Sequence, residues 1–401
     1  MEAVLKREII ELGYDITLVE DGRVTFVGDD DAVCRANIFL RSAERVLIKA
    51  GSFRADTFED LFQEVKAIPW EEFIPKNGKF WVKKASSIRS KLFSPSDIQS
   101  IVKKAMVERM KQHYHIETFP EDGTAYPLRV FLNKDTAVVG LDTSGESLHK
   151  RGYRALGGAA PISETLAAAI ILLGHWNKKR PLVDPFCGSG TFLIEAAMLA
   201  AGIAPGANRA FLAEDWGNLI PKRRWYDAFE EAREQESPDP DVDLQGYDID
   251  PEVISIARHN ASEAGVGDMV HFQQRAFSEF HHPKKYGYVI TNPPYGERVE
   301  QEGLAELYGQ IGERIKEMDT WTFLMITACE EAEKWIGKKA DKNRKLYNGM
   351  MKTYLYQYSG TKPPKPAEKR TDIGVWRAPE AQDDGQHGGG YPEAQSQVFL
   401  P

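Results

Sequence analysis

Asp184-Pro185-Phe186-Cys187-Gly188-Ser189-Gly190-Thr191 joins an apolar strand, PLVDPF, to a helix, TFLIEAAMLAA, that stops at Gly202. Glycines at such a junction let a ligand approach the backbone, and the free N–H groups of a helix start attract anions. A dinucleotide-binding loop would need a third glycine where Leu193 stands, and a phosphate-cradling Walker loop would need a lysine at Thr191. Neither requirement is met. A nucleotide bound in some other way and a plain tight turn both remain compatible with the two glycines.

Reading outward, strands and helices alternate: helix PISETLAAAIILLGHW before the loop, then strand LQGYDI, helix PEVISIARHNASEAG, strand YVITN and strand WTFLMIT. This rhythm predicts a doubly wound, mostly parallel sheet. Two strand tips carry further chemistry. Asp248, in Gly246-Tyr247-Asp248-Ile249-Asp250, is placed to take ribose hydroxyls, while Asp250-Pro251 reads as a helix cap followed by a first-turn proline. Strand YVIT runs into Asn292-Pro293-Pro294-Tyr295-Gly296-Glu297-Arg298, where two prolines freeze an amide and a carbonyl at the sheet edge and an aromatic follows.

Upstream, residues 1 to about 55 read as a small α+β lobe, helix, strand, strand, helix, with a turn at Asp21-Gly22. A helix (FEDLFQEVKAI), an alternating strand (KFWVKKAS), a long helix opening at Ser94 and a hairpin (RVFLNKDTAVVGLDTS) follow. Residues 203–244 carry no clear strand and read as a surface insertion. The Gly-, Gln- and Pro-rich end, 379–401, reads as a disordered tail.

The 401 residues carry a net charge of -9, so the molecule as a whole should repel nucleic acid. Yet residues 76–111 hold ten Lys or Arg against Asp97 and Glu108 alone, with Phe80, Trp81 and Phe93 interleaved. A solvated helix face and a phosphate-contacting surface both fit that run; Lys83, Lys84, Arg89 and Lys91 are the candidate contacts. Three widely spaced cysteines exclude a disulfide framework or zinc knuckle and suit a reducing cytosol, and no apolar run approaches a membrane span. The His113/His115 and His281/His282 pairs lack partners at metal-like spacing, so no metal is expected.

DPFCGSGT, GYDID and NPPYGER, in this order, resemble the class I S-adenosylmethionine-dependent methyltransferases that modify exocyclic amines. LHKRGYR and APISETLAAAI before them, and RKLYNG after them, narrow the likeness to THUMP-domain RNA guanine-N2 methyltransferases, similar to the bacterial 23S rRNA guanine-N2 methyltransferase family. ANIFLRSAERVLI, TFEDLF and SKLFSPSDIQSIVKKA resemble that family's N-terminal lobe and THUMP domain.

The resemblance implies a Rossmann-like methyltransferase domain at 156–378, preceded by a ferredoxin-like lobe at 1–55 and a THUMP RNA-binding domain at 56–155. It implies S-adenosylmethionine as cofactor, with its amino acid end by Asp184, Gly188 and Gly190, its ribose at Asp248 and its adenine near Ile249, Ala276 and Phe277. The Pro161–Thr165 segment should close over it, and Cys187, Thr191 and Asn292 belong to the same site. Cys187 itself reads as a small buried hydrophobe. In catalysis Asn292 and Pro293 would accept hydrogen bonds from the target amine, Pro294 would stiffen the loop, Tyr295 would stack on the base and Arg298 would hold a phosphate. The partner implied is RNA, ribosomal first and transfer RNA second. An adenine-N6 methyltransferase and a non-catalytic RNA-binding assembly factor are the other readings.

Two departures stand out. The family begins with a strand ahead of the stretch matched by Met1-Glu2-Ala3-Val4, so the lobe's first strand is expected to be missing. Where the family often places an acid for the adenine amine, this sequence reads Gln274-Arg275-Ala276-Phe277-Ser278-Glu279.

Overall fold

A computed structural model describes residues 1–154, 162–237, 240–295, 301–364 and 395–399. The N-terminal half runs α1 (Glu2–Glu11), β1 (Ile16–Glu20), β2 (Arg23–Val27), α2 (Asp30–Phe39), β3 (Arg45–Arg54), α3 (Phe58–Ala67), α4 (Trp70–Phe73), β4 (Lys79–Ile88), α5 (Pro95–Tyr114), β5 (Ala125–Asn133) and β6 (Thr136–Asp142). Helix starts follow local chemistry. Asp29 accepts from the Ala32 N–H, Thr57 and Asp60 form a capping box, and Ser94 caps α5 with Pro95 in its first turn.

The second half runs α6 (Glu164–Leu173), β7 (Leu182–Asp184), α7 (Thr191–Ala200), α8 (Lys222–Glu234), β8 (Leu244–Asp248), α9 (Pro251–Glu263), β9 (Val270–Gln274), β10 (Tyr288–Thr291), α10 (Gln301–Glu317), β11 (Thr322–Thr327), α11 (Ala332–Ile336), β12 (Lys342–Asn348), β13 (Met351–Tyr358) and β14 (Gln395–Phe399). Its sheet has the order β12-β13-β11-β10-β7-β8-β9, parallel from β9 to β11, with β13 antiparallel to β11. One apolar cluster draws on α6, α7 and α9 and another on α10 and α11, so the two faces of the sheet are covered separately. This is the class I methyltransferase architecture, with its reversal of strand order between β7 and β10.

The strands of the N-terminal half form one seven-stranded sheet ordered β1-β2-β14-β3-β6-β5-β4, in which β3, a strand the sequence reading did not anticipate, pairs with β6. Two expectations change. Residues 203–244 are not a loose surface insertion. Trp225, Ala228 and Ala232 line one face of α8 and are buried in the N-terminal core with Phe211 and Trp216, and Glu231 takes Arg35 of α2 bidentately at 2.8 Å. Apolar side chains at that helical spacing need a partner surface, and the N-terminal half supplies it. Finally, the end of the tail is a strand: β14 lies between β2 and β3, antiparallel to both. The facing ladders of β2 and β3 require hydrogen-bond partners, which a single inserted strand provides to both. Residues 365–394 lie outside the described residues.

Candidate active site

The site forms where β7 and β10 diverge at their carboxyl ends. After β7 the chain turns through Gly188 and Gly190, with φ of +51° and +86°, before α7 begins at Thr191. A Cβ on Gly190 would lie 2.9 Å from the Phe272 ring, so the glycine is required both for its conformation and for close packing. The Gly188 N–H donates to Asp248 Oδ2 at 3.1 Å, and Asp248 Oδ1 accepts from the Asp250 N–H at 3.1 Å. Asp248 is thereby held at the tip of β8 beside the loop. Asp250 caps α9 through the Glu252 N–H at 2.9 Å, the structural role its sequence context indicated.

Asp184 is buried and accepts from Thr291 Oγ1 at 2.6 Å and from the Phe186 N–H at 3.1 Å. Burial pushes its carboxyl up to about 7; the two hydrogen bonds oppose the rise and the charge of Asp248 adds to it. Because Thr291 immediately precedes Asn292, this bond ties the glycine loop to the Asn292-Pro293-Pro294-Tyr295 turn. At the other end of the turn, the buried Tyr308 hydroxyl of α10 donates to the Pro294 carbonyl at 3.3 Å and shares a 2.7 Å bond with Thr327 Oγ1. The turn is anchored on both sides by hydroxyls drawn from the sheet and the helix.

A cleft of about 570 Å³ opens over this edge. It brings together Asp184, Cys187, Gly188, Thr191, Asp248, Ile249, Ala276, Phe277, Asn292, Pro293, Pro294 and Tyr295. The dimensions and lining fit a nucleoside joined to an amino acid. Ile249 is 72% exposed, an apolar wall without a cover, and the Phe277 ring is stacked on Phe186 at 5.0 Å. Burial keeps the Cys187 thiol protonated, as suits packing rather than nucleophilic work.

Gly190 shapes the loop from beneath. Thr165 does not line the cleft: its hydroxyl donates to Glu44 Oε2 at 3.2 Å, linking α6 to the N-terminal half, and Ile162 supplies the wall instead. Pro161 and Arg298 lie outside the described residues.

Sequence reasoning missed Arg154, which donates to Thr191 Oγ1 at 2.7 Å and the Ile162 carbonyl at 3.2 Å while pairing with Glu164. It missed the anchors Thr291 and Tyr308 as well. Arg154 ends the stretch LHKRGYR, but nothing in spacing connects that stretch to the glycine loop. At the position lacking an acid, Arg275 and Ser278 line the cleft.

The basic candidates lie on and after β4, an edge strand. A register shift between Val82 and Lys84 turns both Lys83 and Lys84 outward, and Trp81 shares the exposed face with Lys79. Arg89 is exposed, whereas Lys91 is paired with Asp56 at 3.3 Å. Of the three interleaved aromatics, Phe80 is core and Trp81 and Phe93 face solvent at 36% and 82% exposure.

Residues 151–357 match the family model described as the RMKL-like methyltransferase domain. The chain belongs to that family. Two further models, an RlmL ferredoxin-like domain at residues 1–47 and a THUMP domain at 55–142, match ahead of the RMKL-like domain. The Bacillus subtilis (strain 168) protein YpsC, to which RNA methyltransferase activity is ascribed, is 44% identical over 93% of this chain and 96% of its own length. Among solved structures, SMU.472, ascribed methyltransferase activity and crystallised with SAH, superposes with a TM-score of 0.83 at 43% identity, covering 90% of this chain and 96% of that one. A Listeria monocytogenes (str. 4b F2365) protein named as a predicted N6-adenine-specific DNA methylase gives 0.83 at 46% identity over 90% and 93%. Among the described residues no helix is long and apolar enough to cross a membrane.

Proposed function

We propose that this RMKL-like methyltransferase moves the methyl group of S-adenosylmethionine to the exocyclic N2 of a guanine in structured RNA, with large-subunit ribosomal RNA first and transfer RNA second. The observation that carries the reading is the Asn292-Pro293-Pro294-Tyr295 turn, fixed at both ends and lining the same cleft as Asp184 and Asp248. The THUMP match and the RNA activity ascribed to YpsC support RNA as the partner. The cofactor presents an electrophilic methyl on a sulfonium. Asp184 would hold its amino acid end beside the glycine loop, Asp248 its ribose, and Ile249, Ala276 and Phe277 its adenine.

The guanine N2 lone pair is delocalised into the ring, so the amine is a weak nucleophile. Asn292 Oδ1 and the Pro293 carbonyl accept hydrogen bonds from the amine, aim its lone pair at the methyl group and stabilise the positive charge that develops on nitrogen. Tyr295 stacks on the base once it is turned out of its helix. No strong base is needed, because the N–H becomes acidic as methylation proceeds and passes its proton to water.

Asn292→Ala should keep S-adenosylmethionine affinity within a few-fold while lowering the single-turnover rate by about 10²-fold or more, the scale for removing one aligned polar group. Asn292→Asp should retain more activity than Ala, since it keeps an acceptor. Near-normal rates for Asn292→Ala would overturn the mechanism.

The name of the Listeria relative favours a second reading, methylation of adenine N6. The same turn serves that amine equally well, and the identity of the methylated nucleoside separates the two.

A further inference from the structure

The RKLYNG stretch, which the site does not use, forms β12 and the turn of a β12–β13 hairpin. β11 ends at Thr327, which pairs with Tyr354 of β13, so the hairpin beyond Tyr354 has no partner in β11. Four further residues lead to Met350, so at roughly 3.3 Å per residue the tip stands about 13 Å beyond the carboxyl edge of the sheet. The candidate active site lies along that same edge. Asn348 pairs with Met351 across a two-residue turn in which Gly349 supplies a φ of +61°. Met351 lines the cleft together with Asn292 and Tyr295, placing the hairpin tip at its rim.

The composition of this arm differs from that of the molecule. Residues 342–352 hold Lys342, Arg344, Lys345 and Lys352 and no acid, in a chain whose net charge is -9. Strand alternation puts Lys345 and Tyr347 on one face, opposite Tyr354 and Lys352 respectively, so cations and aromatics alternate in both directions. Lys345 Nζ lies 5.4 Å from the Tyr347 ring centroid, and Lys352 Nζ lies 5.0 Å from that of Tyr354. Tyr347 is 51% exposed and Met350 is 99% exposed at the tip. Among the described residues, Glu330 pairs with Lys352 at 2.7 Å and accepts from the Tyr354 hydroxyl at this surface. An ion pair so open to water contributes little to stability, and phosphate can compete for the lysine.

We infer that the β12–β13 hairpin is an RNA-holding arm. Lys345 and Lys352 contact phosphates, and Tyr347 stacks on a base next to the nucleotide that enters the cleft past Met351. Alternating cations and aromatic faces are the chemistry that grips single-stranded nucleic acid without reading its sequence. The surface is separate from that of β4, which belongs to the other sheet. The inference rests on the RNA reading above but not on which base is methylated.

The test uses the full chain with Lys345→Ala, Tyr347→Ala and Lys352→Ala combined. Binding of a short labelled single-stranded oligoribonucleotide should weaken about tenfold or more. The slope of log affinity against log salt should become shallower by about 0.7 for each phosphate the variant no longer neutralises. Affinity for S-adenosylmethionine, measured by calorimetry, should stay within about twofold. Tyr347→Phe alone should bind RNA like the parent, because the stacking face is kept. Unchanged RNA affinity and slope in the triple variant would overturn the arm; should that variant fold poorly, Lys345→Glu, a change at an exposed side chain, gives the same decision. If the parent protein methylates adenine, the guanine reading fails while the binding result still decides the arm.

Discussion

Asp184 is a buried carboxyl that lines the cleft. Its carboxyl sits at about 7 in the fold against 3.8 unperturbed, because burial disfavours the charge. A carboxyl raised on folding stabilises the ligand-free fold fully below its unfolded value, and that contribution is lost as pH rises through about 7. With the cofactor's amino acid end placed by Asp184 as proposed, binding has the opposite dependence, since the α-ammonium of S-adenosylmethionine would need the carboxylate. Affinity should therefore climb about tenfold per pH unit up to about 7, then decline above about 8 as an ordinary α-amino group loses its proton. Calorimetry across that range should show the rise, and Asp184→Asn should remove the acid limb while leaving the alkaline one. A parent affinity that is flat below pH 7 would remove Asp184 from the ammonium.

Among the elements, α10 matters beyond its packing. Leu304, Tyr308, Ile311 and Ile315 recur at helical spacing and are buried, a pattern that sequence alone reads as core. Only the structure shows that the Tyr308 hydroxyl reaches the Pro294 carbonyl, and burial raises its pKa, so it remains a donor throughout the working pH range. Tyr308→Phe should cost about 1 kcal/mol of stability, the worth of one hydrogen bond. It should lower turnover about tenfold with the KM for S-adenosylmethionine within about twofold, because the turn loses its anchor while the cofactor wall stays. Equal kcat in the two proteins would reduce Tyr308 to a packing role.

The same contrast marks what the sequence made legible. Strands β7, β8 and β10 were readable because each is short, alternates with helices and ends in candidate site residues. Strand β3 was not: RVLIKAGSFR alternates poorly and pairs with β6 roughly ninety positions away. Strand β14 was hidden for the same reason, since no local pattern in a Gly- and Gln-rich end announces a slot between β2 and β3. Helix α8 could have been found from Trp225, Ala228 and Ala232, which repeat at helical spacing within residues 203–244.

Over the whole molecule, a net charge of -9 requires RNA to be met by local basic surfaces. Changing Lys83, Lys84, Arg89 and Lys91 together to Ala should weaken RNA binding and flatten its salt dependence, with cofactor affinity intact. A slope as steep as the parent's would make the β4 surface a solvated face and leave the hairpin arm to hold the substrate alone.

Methyl transfer onto RNA from cells lacking this protein, using S-adenosylmethionine labelled in its methyl group and followed by digestion to nucleosides and mass spectrometry, decides what the cleft does. The proposed guanine reading predicts label in N2-methylguanosine, and the anchored turn predicts that the label is absent when Asn292→Ala replaces the parent protein. Label in N6-methyladenosine, or no label in RNA at all, would contradict the account.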